Sequence, residues 1–176
     1  MAQVEQFKTA SDFWSKMVVP DYEEYCEKSA DLRQALHAAI SLFHMADWVF
    51  HTHEGAVKAA FTFRDKNGRV QAVSYGEHFA KSLEQQCDDF GRIRGIANAA
   101  KHLQLRTNGI RPVQNAPSNA ANTLVQTTGF GVRGYGQGPY GGGPRVMLEG
   151  SPDMEFSQIA KAVFDMWVSL KLVHGW

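Results

Sequence analysis

The chain from Asp31 to His53 reads DLRQALHAAISLFHMADWVFHTH, and this stretch decides the fold class. Its apolar residues recur at intervals of three and four: Leu32, Leu36, Ala39, Ile40, Phe43 and Phe50. Such spacing is typical of one face of an α-helix that packs on a core. Ser29 or Asp31 supplies a side-chain oxygen that can cap the free amides of the first turn. We therefore predict a helix over about 30–53 whose apolar stripe faces a core.

Three further helices are predicted around the first, over about 71–87, 89–105 and 154–173. The pattern near Cys87 fits either two helices or one bent helix. The last helix begins after Ser151-Pro152-Asp153, which is a strong start signal. Its apolar face contains Ile159, Val163, Phe164, Trp167, Leu170 and Val173.

The remaining segments carry weaker signals. Residues 9–19 indicate a short helix or an extended arm that Pro20 ends. Residues 54–76 fit a loop or a small hairpin, because Asp65-Lys66-Asn67-Gly68 is a turn signal.

A glycine-rich hairpin is predicted over about 119–149. Eight of the 16 glycines fall between Gly129 and Gly143, and strand-like stretches flank them at 119–128 and 145–149. The glycines alternate with aromatic residues and Arg133, so the tip could stack on unpaired bases and bind phosphate. It could equally pack on the bundle or on a second subunit. The fold class is mainly α: one domain over 1–176, a bundle of four to five helices with a β-hairpin inserted before the C-terminal helix.

Composition indicates a globular chain in a reducing compartment. The 176 residues are 44% hydrophobic and 20% charged, and the two cysteines are too few for a disulfide framework. No apolar run is long enough for a membrane span, and the first residues do not form a signal peptide. We expect a cytoplasmic protein with no membrane association and no cofactor.

The balanced total of 18 basic and 18 acidic residues hides an asymmetry. Residues 91–148 contain no acid and seven basic residues, so this segment carries a charge of +7. Arg92, Arg106 and Arg133 are therefore candidates for binding an anion, and RNA or an acidic protein is a candidate partner. The alternative is that the basic segment pairs with the acidic remainder of the same chain.

Two helix faces carry candidate functional residues. On the central helix, Asp47 falls within the predicted apolar stripe, where His44, Trp48 and His51 lie near it. His44, Asp47 and His51 are ligand types that a divalent metal accepts, although a bundle site needs a further ligand from another helix. The alternative is a buried polar network, because an acid on a core face needs donors or a cation.

On the 89–105 helix, a second polar face contains Arg94, Asn98, Lys101 and His102. These groups could bind a phosphate and transfer a proton near neutral pH, with His102 and Arg94 as the candidate catalytic pair. They could instead pair with Asp47 on the central helix.

These motifs resemble those of a known group of bacterial and phage proteins. His44-Met45-Ala46-Asp47-Trp48 is similar to their His-x-x-Asp-Trp pattern, and Ala97-Asn98-Ala99-Ala100-Lys101-His102 to their Ala-Asn-x-x-Lys-His pattern. The resemblance implies a helical bundle that carries a β-hairpin, and it implies no activity. A more distant resemblance is to HEPN domains, which are helical bundles that include metal-independent ribonucleases. In these domains four to six residues lie between the Arg and the His, whereas seven residues lie between Arg94 and His102 here.

Three functions remain open on the sequence. The first is a HEPN-like, non-enzymatic interaction or structural module, associated with RNA or forming a homodimer. The second is a metal-independent endoribonuclease that uses His102 and Arg94. The third is a metal-binding bundle enzyme that uses His44, Asp47 and His51.

Overall fold

The computed structural model describes residues 7–101, 123–127, 144–148 and 154–176. Within these ranges, six helices and two small antiparallel sheets follow one another along the chain. Helix α1 consists of three consecutive segments, Ala10–Phe13, Trp14–Val18 and Val19–Glu27. The other helices are α2 (Leu32–Thr52), α3 (Glu54–Ala60), α4 (Gly76–Gln86), α5 (Asp88–Lys101) and α6 (Phe156–His174). The strands are β1 (Thr62–Arg64), β2 (Val70–Ala72), β3 (Thr123–Thr127), β4 (Pro144–Leu148) and β5 (Met154–Glu155).

The mainly helical fold with an antiparallel hairpin before the last helix is confirmed. The described residues contain more helices than predicted, because 10–27 and 54–60 are also helical. No helix among these residues is long and apolar enough to cross a membrane.

Helix α2 is the centre of the bundle, because it packs against every other described helix. The Asp31 side chain caps it by accepting hydrogen bonds from the amides of Arg33 (2.8 Å) and Gln34 (3.3 Å). The predicted apolar stripe is rotated relative to the observed one. Its fully buried residues are Ala35, Ala38, Ala39, Leu42, Met45 and Val49, whereas Ile40 is 36% exposed. Alanine side chains are small, so neighbouring helices can approach α2 closely on the side that carries them. That side is therefore the buried face of α2.

Helix α1 corrects the prediction that Pro20 ends a helix. The chain remains helical from Ala10 to Glu27, and Pro20 lies in the first turn of its third segment. The segment Trp14–Val18 before it is a wide π-helical turn, in which the Val19 amide donates to the Trp14 carbonyl. A proline is tolerated where the regular hydrogen-bond ladder is already interrupted.

The region after α2 contains the hairpin that was one predicted alternative, and before it a short helix that was not predicted. Residues 54–60 form a short helix, and a small hairpin follows, in which Gly68 adopts a positive φ of 78°. Asp65 closes this turn by accepting hydrogen bonds from the amides of Asn67 and Arg69. The chain then forms two separate helices, α4 and α5, with the break at Cys87.

The late strands and the last helix complete the core. Strands β3 and β4 pair antiparallel as predicted, and the short β5 adds a third strand beside β4. The glycine-rich tip at 128–143 lies outside the described residues. Helix α6 buries Ile159, Val163 and Trp167, and the Trp167 indole Nε1 donates to the Leu42 carbonyl of α2 at 3.0 Å. This bond ties the last helix directly to the central one.

Candidate binding groove

A groove with a volume of about 500 Å³ lies between α1 and α2. Its lining combines apolar, aromatic, imidazole and carboxylate side chains: Phe13, Met17, Asp21, His37, Ile40, Ser41, His44, Asp47 and Trp48. The three α1 residues are spaced four apart, and the α2 residues recur at intervals of mainly three and four. Each set therefore lies on one face of its helix.

Aromatic packing forms one end of the groove. The rings of Phe13 and Trp48 stack with a centroid separation of 5.2 Å and an interplanar angle of 12°. Phe7 approaches Trp48 from the N-terminal side, with a centroid separation of 6.3 Å. Beside this pair, Met17 and Ile40 remain 37% and 36% exposed. The groove thus leaves large apolar side chains open to a ligand.

Asp47 lies on the rim of this groove and not in the core. Its Oδ2 is 3.1 Å from Nδ1 of His44, and both side chains are at least half exposed. The prediction of a buried network around Asp47 is wrong, because the buried face of α2 is centred on its alanines. The Asp47 carboxylate lies close to the start of α4, with Oδ1 3.9 Å from an ideal Cβ position on Gly76.

Asp21 occupies the other end of the groove and is only partly accessible to solvent. Burial raises the pKa of its carboxyl, and the Ser41 hydroxyl and the nearby His37 partly oppose this rise. The Ser41 hydroxyl also donates to the Ala38 carbonyl at 3.2 Å. Among the described hydrogen bonds, none joins Ser41 to a histidine.

The predicted catalytic residue Arg94 lies elsewhere, between α4 and α5. Its guanidinium binds both carboxylate oxygens of Glu77 at 2.9 Å and the carboxylate of Glu84 at 2.8 Å. Although burial alone would lower the pKa of Arg94, the hydrogen bonds and charges of these two acids raise it overall. Its charge is therefore already neutralised inside the bundle.

The other described arginines of the basic segment are also paired. Arg92 forms an ion pair with Asp89 on the same helix, and Arg145 of β4 forms one with Glu155 at 2.7 Å. These contacts match the alternative in which the basic segment pairs within the chain.

The remaining predicted site residues fall into two sets, those outside the described residues and those away from the described groove lining. His102, Arg106 and Arg133 lie outside the described residues, as does the Lys101 side chain. Asn98 is half-buried on α5, and His51 is exposed near the end of α2. The described ranges contain no group of three or more potential ligands that could hold a metal ion.

Most of the groove was not predicted from the sequence. His44, Asp47 and Trp48 were candidate residues, whereas Asp21, Met17 and Ser41 were not. The spacing of His37, Ser41, His44 and Trp48 is a signal for a shared face of α2. Nothing in the sequence indicated that α1 covers this face, because Pro20 predicted that a helix ends there.

The fold and the groove define a class: a helical bundle with an inserted antiparallel sheet and a mostly apolar groove on the central helix. A scan against family models, a search of curated proteins and a search of solved structures found no match to this chain. The similarity to phage and bacterial proteins and to HEPN domains therefore remains a prediction from motifs.

The exposed position of Asp47 leads to a prediction about stability. We expect Asp47→Asn to change the free energy of unfolding by less than about 0.5 kcal/mol, because exposed ion pairs contribute little. A urea unfolding curve for the variant and the wild type measures this. A loss of about 3 kcal/mol or more is the effect of breaking a buried pair, and it would contradict the placement of Asp47 on the rim.

Proposed function

We propose that this protein is a non-enzymatic interaction module that binds a small, largely apolar ligand in the groove between α1 and α2. The observation that carries the proposal is the groove itself, which has a volume of about 500 Å³. The side chains of Met17 and Ile40 in its lining are each more than a third exposed to solvent. Small-molecule sites have volumes of roughly 300–1,000 Å³ and combine apolar walls with a few polar groups. The walls here are aromatic and aliphatic, and the polar groups are at the two ends.

Binding without catalysis is supported by the partners of the reactive side chains. The Ser41 hydroxyl donates to a backbone carbonyl, and His44 is bonded to Asp47. The cation predicted to stabilise a phosphate, Arg94, is neutralised by Glu77 and Glu84. The described residues thus supply recognition groups without an activated nucleophile.

RNA, an acidic protein and a second copy of the chain remain predicted partners. Support for RNA or an acidic protein comes from the charge of residues 91–148 in the sequence. The paired state of Arg92, Arg94 and Arg145 weakens that support, because a paired arginine must lose its carboxylate before it binds another anion.

The proposal is tested with the neutral probe 4-phenylbutan-1-ol, titrated into the ¹⁵N-labelled full-length protein. We expect amide shifts to cluster at the groove residues of α1 and α2. Ile40→Glu should weaken binding at least about fivefold, because it places a charge against the apolar body of the probe.

Leu172→Glu is the matched control, since Leu172 is an apolar residue of α6 that is 81% exposed and is not part of the groove lining. It should leave the affinity within a factor of about two. No saturable binding, or shifts that do not map to α1 and α2, would overturn the proposed function.

A further inference from the structure

We propose that the ligand of the groove carries an organic cation, an ammonium or guanidinium group, and that this cation binds at Asp21. The inference rests on the proposed function, because it names the chemical class of ligand for the same groove. It follows from the charges at the two ends of the groove and from the environment of the Asp21 carboxylate.

The described lining of the groove contains more acidic than strongly basic side chains. Among the described residues it includes two carboxylates, Asp21 and Asp47, and neither lysine nor arginine. An apolar ligand with a positive group is therefore complementary in charge, whereas an anionic ligand would be repelled.

Among the described residues, Asp21 has no lysine or arginine partner, and its nearest basic group is the His37 imidazole. None of the ion pairs among the described residues involves Asp21. Its carboxylate is partly withdrawn from water beside the buried Ser41. A carboxylate that has lost hydration without gaining a cation binds an incoming cation more strongly than a fully solvated one does.

Asp47 is the weaker anchor. Its side chain is 57% exposed, and its Oδ2 already contacts His44 at 3.1 Å. Water and salt screen an interaction at such a site, so a cation gains little there.

The positions of Asp21 and Trp48 at opposite ends of the groove determine how the ligand is oriented in it. Ser41, beside Asp21, and Trp48 are seven residues apart on α2, which corresponds to roughly 10 Å along the helix axis. A cation at Asp21 thus leaves an apolar body of about two helical turns to lie along Ile40 and Met17. Its far end reaches the stacked rings of Phe13 and Trp48.

The test compares three probes with one carbon skeleton: 4-phenylbutylamine, 4-phenylbutan-1-ol and 4-phenylbutyrate. We expect the wild type to bind the amine about tenfold more tightly than the alcohol, and the acid most weakly, because a hydrogen bond to a charged group contributes more than a neutral one. The amine should also shift the backbone amides of Asp21 and Ser41 more than the alcohol does.

Asp21→Asn should abolish the preference for the amine and leave the affinity for the alcohol within about twofold. Glu23→Gln is the matched control, since Glu23 is an exposed acid on the same helix that does not line the groove. It should retain the preference. The wild-type amide shifts locate the cation even where a variant folds poorly.

The outcomes separate this inference from the proposed function. Equal binding of amine and alcohol by the wild type would overturn the cation inference and leave the groove as an apolar site. Loss of the preference in Asp47→Asn with retention in Asp21→Asn would also overturn it, because the cation would then bind at the other end. Absence of binding by all three probes would overturn both.

Discussion

Trp167→Ala should lower the free energy of unfolding by about 3–5 kcal/mol, the range found when a large aromatic side chain is removed from a core. Trp167 is fully buried on α6, and its ring packs edge-to-face on Phe90 at a centroid separation of 6.1 Å. It also donates a hydrogen bond to the Leu42 carbonyl of the central helix. The substitution removes both the packing and this link, and it leaves a cavity among α2, α5 and α6. Urea unfolding followed by far-ultraviolet circular dichroism measures the change.

A second substitution separates the hydrogen bond from the packing. Trp167→Phe keeps an aromatic ring in the core but removes the indole donor, so we expect a smaller loss of about 1–2 kcal/mol. Leu172→Ala on the same helix is the control, because this side chain is 81% exposed and should contribute less than about 0.5 kcal/mol. An alanine variant at Trp167 within 1 kcal/mol of the wild type would show that α6 is not docked on α2 as described.

The long helices were predictable, because many regularly spaced apolar residues indicate the same buried face. Half of the predicted apolar face of α6 is buried, namely Ile159, Val163 and Trp167. Phe164 and Leu170 are half-buried, whereas Val173 is 75% exposed. The pairing of β3 with β4 was predicted because strand-like residues flank a glycine-rich stretch. The break at Cys87 was predicted as one of two alternatives, since a short polar stretch fits both a bend and a chain turn.

The candidate groove was less predictable because it depends on which helix covers which face. On α2, leucine and phenylalanine positions suggested one stripe, but the alanines allow closer packing and form the buried face. That rotation moves Asp47 from the core to the rim. The covering helix contains Pro20 after a π-helical turn, and a local propensity rule cannot anticipate such a compensated proline.

The second large effect is expected at Arg94, where a catalytic role and a structural role predict different results. We expect Arg94→Met to lower the free energy of unfolding by about 2 kcal/mol, because it leaves the carboxylates of Glu77 and Glu84 without their cation. The expected loss is below that of a fully buried pair, since Glu77 is 39% exposed and water partly solvates it. Lys161→Met is the control: Lys161 and Asp165 form an ion pair in which both side chains are more than half exposed, so its loss should cost less than about 0.5 kcal/mol.

Neutralising the partners provides the decisive comparison for Arg94. In the triple variant with Glu77→Gln and Glu84→Gln, methionine no longer faces two unpaired carboxylates, so a large part of the lost stability should return. A residue whose purpose is to bind phosphate behaves differently. Its replacement would reduce RNA binding and the salt dependence of that binding, while stability would stay near the wild-type value. Stability lost in Arg94→Met and regained in the triple variant would place Arg94 in the framework that holds α4 against α5. If Arg94→Met instead keeps the wild-type stability and binds RNA more weakly, the result would support a role of Arg94 in binding nucleic acid.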